Sequence, residues 1–476
     1  MIFNSLEFLI FLPIVLVAYY LLPFQLQNVL LLVASYIFYG SWDWRFLSLL
    51  IISTITDFIS GNCIYHNSEE RKRKVFLLLS ISVNLSILGF FKYYNFFIQS
   101  FHELLLDVGL GSTNAWVLNI VLPLGISFYT FQTMAYTIDI YRRKSQPTSN
   151  FLNFALYVTY FPQLVAGPIE RATRLLPQLE KRREICPQTI SSGIALVLTG
   201  FFKKVFIGDF FAAPYADLAF SDTSSCSPSF LMLGICMFSI QIYSDFSGYT
   251  DIARGVSRML GIQLMMNFRQ PYLSRNITEF WKRWHISLSQ WLRDYLYIPL
   301  GGNRKGEFNT YKNLFITMLV GGLWHGAGWT FFVWGALHGF YLIVHKVSIK
   351  ESKPDRSNIS RLKDFLPSLW KIALTNILVL ITWVFFRAID LEHATLFISN
   401  FFIGFASPSI LLQITLIFTC YLSLTFGMDY LFYRKDSDDI FSQISPLIRI
   451  PVYGLIILAT WVVWPSENAP FIYFQF

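Results

Sequence analysis

LFITMLVGGLWHGAGWTFFVWGALHGFYLIV, residues Leu314 to Val344, decides how this chain is read. The run holds no Asp, Glu, Lys or Arg, and His325 stands in its middle, within Gly321 to Trp329. An ionisable side chain in such a run is costly and marks a functional site by default. The run is too short for two full helical crossings of roughly 20 residues each with a turn between them. A helix entering near Leu314 and rising roughly 1.5 Å per residue would carry His325 to about mid-bilayer. The segment is therefore expected to enter the membrane and return. Glycines on both sides let the backbone bend and a neighbour approach closely. A histidine that only bridges helices by hydrogen bonds is the alternative.

Composition widens the reading to the whole chain. Of 476 residues, 54% are hydrophobic and only 14% charged, with 48 Phe. A soluble core of this size does not need so little charge, so an all-α polytopic membrane protein is expected. The net charge of +8 is read by position, because Lys and Arg collect in cytoplasmic loops, and it gives no support for nucleic-acid binding. Cys63, Cys186, Cys226, Cys236 and Cys420 lack paired or metal-like spacing, so neither a disulfide framework nor a metal site is expected. The apolar run from Phe8 to Leu22 lacks a basic leader and a small-residue cleavage site, and reads as a span rather than a removable signal.

Apolar runs predict helices near 5–23, 28–40, 46–65, 75–99, 117–140, 190–208, 229–247, 313–324, 327–345, 368–388, 410–432 and 448–464. Basic clusters at 71–74, 142–144, 181–183, within 249–312 and from Lys346 to Lys363 all fall inside if the N-terminus is outside. That topology requires 152–170 not to cross and 313–345 to return. The loops 100–116 and 209–228 and the C-terminal tail would face outward. Irregular backbone at depth is tolerated only where protein buries it or a cavity is lined by it. No internal repeat is visible, and the one linker-like stretch is 348–360. One integral-membrane domain over 1–476 is expected, with a catalytic core near 120–346 and C-terminal helices over 368–476.

Segment 267–312 is dense in Trp, Tyr and Arg, as suits an amphipathic element at the membrane interface. Trp281, Trp284 or His285, Leu288, and Trp291 or Leu292 recur at helical spacing, with Thr278 as a candidate N-cap. A plain interfacial helix explains the aromatics but not His285. Gly301-Gly302-Asn303-Arg304 could form a turn whose amides and guanidinium receive a phosphate. No Gly-x-Ser-x-Gly elbow, phosphate loop or His-Glu-x-x-His pattern is present. A buried neutral imidazole can take a proton from a hydroxyl near neutral pH, and a second polar group can hold an acyl carbonyl or the leaving group. Acyl transfer to a hydroxyl is thus favoured among several chemistries.

Other titratable residues weigh differently. His102 and Asp107 share the His-x-x-x-x-Asp spacing of soluble-type acyltransferases, in a chain whose seven histidines make a chance match easy. His338 reads as a packing or hydrogen-bonding histidine near His325, and His66, His345 and His393 as solvated at membrane edges. Asp251 could pair with Arg254 or Arg258 along a helix. Asp245 is balanced between function and structure.

Pro123 to Gln132, Tyr160 to Glu170, Asp245 to Arg254, Trp281 to Arg304 and Gly321 to Gly339 together resemble the membrane-bound O-acyltransferases. The nearer likeness is to the bacterial branch that O-acetylates exported polysaccharides of the alginate and peptidoglycan type, and the ending Phe471 to Phe476 looks like that branch too. The resemblance implies a ring of tilted helices around a central funnel or tunnel, with re-entrant and interfacial helices. It matches His325 to the family's invariant histidine at the waist and His285 to its second polar position. It implies a multi-pass protein of the bacterial cytoplasmic (inner) membrane among membrane lipids. An acetyl group, from acetyl-CoA and with no tightly bound cofactor, would pass to a polysaccharide acceptor through a separate SGNH-type partner outside the membrane. Trp324, Gly326, Asp245, Ser287, Arg293, Asn303, Arg304 and His338 are candidates for donor binding or the tunnel. D-alanyl transfer to teichoic acid is the alternative within the family, and a non-enzymatic exporter or channel subunit the alternative outside it.

Overall fold

A computed structural model describes residues 1–110, 116–165, 167–349, 368–403, 408–435, 445–464 and 471–472. Among these, every regular element is helical. Six helices are long and apolar enough to cross a membrane, within 24–66, 70–107, 187–221, 228–259, 369–387 and 408–427. The chain is therefore an all-α, multi-pass membrane protein. From residue 350 onward the 348–360 linker lies outside the described residues, as do the end of the basic run at Lys363 and residues 473–476.

Contacts divide the chain into two compact units, Met1–Gly193 with Val256–Met265, and Ile194–Gly255 with Met266–Phe476. In the first, the Ile126–Tyr141 helix starts nine residues later than the apolar run from 117 suggests. Pro123 and Gly125 cause this: Gly125 has φ +70, and a Cβ there would lie 2.4 Å from the Leu164 carbonyl oxygen. Segment 152–170 forms two short helices, Phe151–Thr159 and Phe161–Leu164. At roughly 1.5 Å per residue neither can span a bilayer. Helix Tyr94–Asp107 reaches into the loop expected over 100–116.

The second unit also departs from the expected boundaries. Helix continues through a wide π-helical stretch, Phe202–Ala212, and on to Ser221, where a loop was expected from 209. Asp209 is paired with Lys204 at 2.9 Å, so this carboxylate does not draw the chain out into solvent. The Pro228–Met259 helix extends well past the expected end at 247.

The arms of the deciding stretch are Glu307–His325 and Trp329–Ile349, 19 and 21 residues long. Polar turns at both outer ends lengthen them beyond the apolar run. Each arm is then about 30 Å, but the added length is polar, and neither arm is among the six helices apolar enough to cross a membrane. His325 is the last residue of its arm, at the hairpin tip, in keeping with the break expected between 324 and 327. Glycine lets the arms meet backbone to backbone: a Cβ on Gly335 would lie 2.5 Å from the Met318 carbonyl oxygen, and one on Gly322 2.3 Å from that of Phe331.

Candidate active site

The segment expected at the membrane interface forms two helices, Ile277–Arg283 and Ile286–Leu292, broken at Trp284-His285. Asn276, not Thr278, caps the first by accepting from the Glu279 N–H at 2.8 Å. The Thr278 hydroxyl instead meets His345 Nδ1 at 2.8 Å, so His345 is bonded rather than simply solvated. Glu279 binds Arg283 at 2.7 Å and Arg275 at 3.1 Å. Burial pushes this carboxyl up, but the two guanidinium groups outweigh it and hold it below the usual range.

The break gives His285 a left-handed backbone, φ +41. For a residue with a Cβ this costs on the order of 1–3 kcal/mol and persists only where the surroundings enforce it. The surroundings here are Asn267 and its neighbours. Ile286 N–H donates to the Asn267 carbonyl at 2.9 Å, and Arg269 N–H to the Arg283 carbonyl at 2.9 Å. The Asn267 side-chain oxygen accepts from Ser287 N–H at 3.2 Å and from the Ser287 hydroxyl at 2.6 Å. Asn267, His285 and Ser287 are all buried. Burial also lowers the pKa of His285, which keeps it neutral.

The tertiary structure brings the two chosen histidines together. Their ring centroids are 6.4 Å apart, with Trp324 at 5.8 Å from His285 and 5.0 Å from His325. Phe246 closes on His285 edge-on at 4.7 Å, and Trp334 and Phe386 close on His325 at 4.9 and 5.4 Å. Gly326 serves this packing, because a Cβ there would fall 2.0 Å from the Phe331 ring.

The remaining candidates separate. His338 is held at both ring nitrogens, by Trp281 Nε1 at 3.3 Å and Thr382 Oγ1 at 3.1 Å, as a hydrogen-bonding histidine would be. Asp245 binds Lys204 at 2.7 Å and accepts from Ile472 N–H at 2.6 Å. Asp251 pairs with Lys203 at 2.8 Å as well as with Arg254 at 3.7 Å, while Arg258 goes to Ser192 at 2.6 Å. Arg293 is exposed and paired with its neighbour Asp294, and Asn303 and Arg304 are exposed. The anion-cradle reading of their turn is corrected: the N–H groups of Gly301, Gly302 and Arg304 donate to Ile298, Tyr297 and Gly301 carbonyls within the turn itself. His66 bonds Asn62 and His393 bonds Thr223. His102 and Asp107 lie in the first unit and the histidine pair in the second.

Three features escaped the sequence reading. Asn267 opens segment 267–312 with no pattern of its own to mark it. Lys204 sits in an apolar run, and its charge complement to Asp245 was a usable signal. Asp57 is buried in the first unit, bonded to Ser80 at 2.5 Å and Asn84 at 2.8 Å. A lone carboxylate in a run such as Leu47–His66 was equally readable.

The sequence pattern of the membrane-bound O-acyltransferase family matches residues 37–354. A protein of Pseudomonas putida named "Probable alginate O-acetylase" is 40% identical over the whole of both chains. A peptidoglycan O-acetyltransferase of Helicobacter pylori is 36% identical over 83% of this chain and 78% of its own. A teichoic acid D-alanyltransferase of Streptococcus thermophilus is 30% identical over 48% of this chain and 58% of its own. With its buried imidazole pair and its apolar spans, this chain belongs to the membrane-bound O-acyltransferase family and is a multi-pass acyltransferase.

Proposed function

We propose that this protein moves an acetyl group from a cytoplasmic donor, acetyl-CoA, toward O-acetylation of an exported or cell-wall polysaccharide. Working as one domain, it would do so with His325 as base or transient acyl carrier and His285 holding either the thioester or the acceptor. The observation that carries this reading is the pairing of these two imidazoles, 6.4 Å apart and buried among aromatic rings. Burial keeps His285 neutral, and exclusion of water strengthens any polar contact made there. Full-length similarity to an alginate O-acetylase supports acetyl as the group, and two similar proteins that act on polysaccharides support a sugar hydroxyl as the final acceptor. The D-alanyl alternative has a relative matching under half of this chain. An SGNH-type partner outside the membrane would complete the transfer. The guanidinium groups of Arg293 and Arg304 would meet donor phosphates on the cytoplasmic face, and the N-terminus would lie outside.

Membranes bearing the native chain should transfer labelled acetyl, and not labelled D-alanine, to polysaccharide. His325→Ala should bring this to background while the protein remains inserted and folded. Undiminished transfer by that variant would remove the catalytic assignment.

A further inference from the structure

Asn267, Ser287 and His285 form a run of side-chain contacts behind the His285 ring. The Asn267 side-chain atom facing Ser287 receives a backbone N–H, which can only donate, so that atom is the amide oxygen. The Ser287 hydroxyl lies 2.6 Å from the same oxygen and must give it its single hydrogen. Toward His285 Nδ1, 3.5 Å away, the Ser287 oxygen can then only accept. A lone pair on Nδ1 would face a lone pair on the hydroxyl. We infer that Asn267, acting through Ser287, is a positioning residue that holds His285 as the Nδ1–H tautomer, so that Nε2 presents a lone pair to the substrate.

This rests on the proposed site and sharpens it. An acyl carbonyl has no hydrogen to give, whereas a hydroxyl has. Between the two roles left open for His285, it therefore orients the acceptor's O–H and does not polarise the thioester. Residues behind a working imidazole commonly set its tautomer and orientation. The same protein holds a contrasting case. The Trp281 indole N–H can only donate, so it points into the Nδ1 lone pair of His338, and the hydrogen of that ring is on Nε2.

The test is nitrogen-15 NMR of the full chain, labelled at histidine, in lipid nanodiscs. His285 resonances are assigned by their loss in His285→Gln. Native protein should show His285 with a protonated Nδ1 and a bare Nε2, and His338 the reverse. Asn267→Ala frees the Ser287 hydroxyl to donate to Nδ1, and should move the His285 hydrogen to Nε2 or split the signal. Turnover at saturating donor should fall at least about tenfold, with the donor KM unchanged. Asn267→Asp, which still accepts from Ser287, should restore the native tautomer. If Asn267→Ala does not fold, Ser287→Ala, lacking the oxygen beside Nδ1, should give mixed tautomers. A native His285 protonated on Nε2, or one whose tautomer ignores both variants, overturns the inference whatever the activity. An active His325→Ala would instead overturn the proposed function and leave the tautomer result standing.

Discussion

His338 and His285 share one aromatic core and are equally buried, yet they are held in opposite ways. His338 lies on a regular helix turn, with an indole at one ring nitrogen and a hydroxyl at the other. His285 lies at a helix break with φ +41, gripped from behind through Ser287 and Asn267. A relaxed backbone with both nitrogens closed is what a structural histidine requires. A strained backbone, enforced by the hydrogen bonds of Asn267 to Ile286 and Ser287, is what a ring held in a set orientation requires. In the sequence both stand close to tryptophan, His285 beside Trp284 and His338 four residues after Trp334, and nothing there shows how either ring is held.

The largest expected effect separates them by activity. His285→Asn should lower acyl transfer by roughly 10²-fold, the cost of a misplaced acceptor. Asn tolerates the left-handed backbone, so thermal unfolding should move little. His338→Asn should do the reverse, costing about 1–3 kcal/mol for the orphaned indole and hydroxyl, with activity per folded molecule nearly kept. Similar activity losses in both variants would erase the distinction.

Gly335→Val comes next and tests the frame that brings His325 to its partner. A Cβ 2.5 Å from the Met318 carbonyl must part the hairpin arms, so thermal stability and activity should fall together. An unshifted melting temperature would show that the arms do not need their close crossing.

The pH dependence of stability is smaller. Burial depresses the pKa of His285 in the folded state, while the unfolded chain binds its proton near pH 6.5. Stability from this ring is present above about pH 6.5 and declines as pH falls below it, because the unfolded state then takes up the proton. At pH 5 the loss approaches about 2 kcal/mol. Unfolding followed from pH 7.5 to 5 should show the decline in the native chain and a shallower one in His285→Asn. Parallel curves would mean that His285 is already charged in the fold.

Helix existence was widely legible, from Leu369–Arg387 to the two arms around His325, because apolar runs bounded by Pro, Gly and charge announce themselves. Boundaries were less so. Lys204 and Asp209 satisfy each other inside a helix that their charges seemed to end, and Glu307 to Lys312 extend a helix past its apolar part. The histidine pair was legible as chemistry, since both imidazoles stood out against lipid-compatible surroundings. The turn at Gly301-Gly302 misled, because a motif does not say whether its amides already have partners.

The sequence by itself determined that this is a membrane chain of many helices, that glycine-flanked His325 and His285 are its unusual groups, and which family they belong to. The first two follow from composition, spacing and cost of burial, and the family from the likeness of whole sequence blocks. Only the tertiary structure decided that His285 and His325 lie together, that Asn267 grips the helix break at His285, and that His338 is held at both nitrogens. Those are relations among segments far apart in the chain, and a hydrogen bond exists only once folding brings its donor and acceptor within about 3 Å.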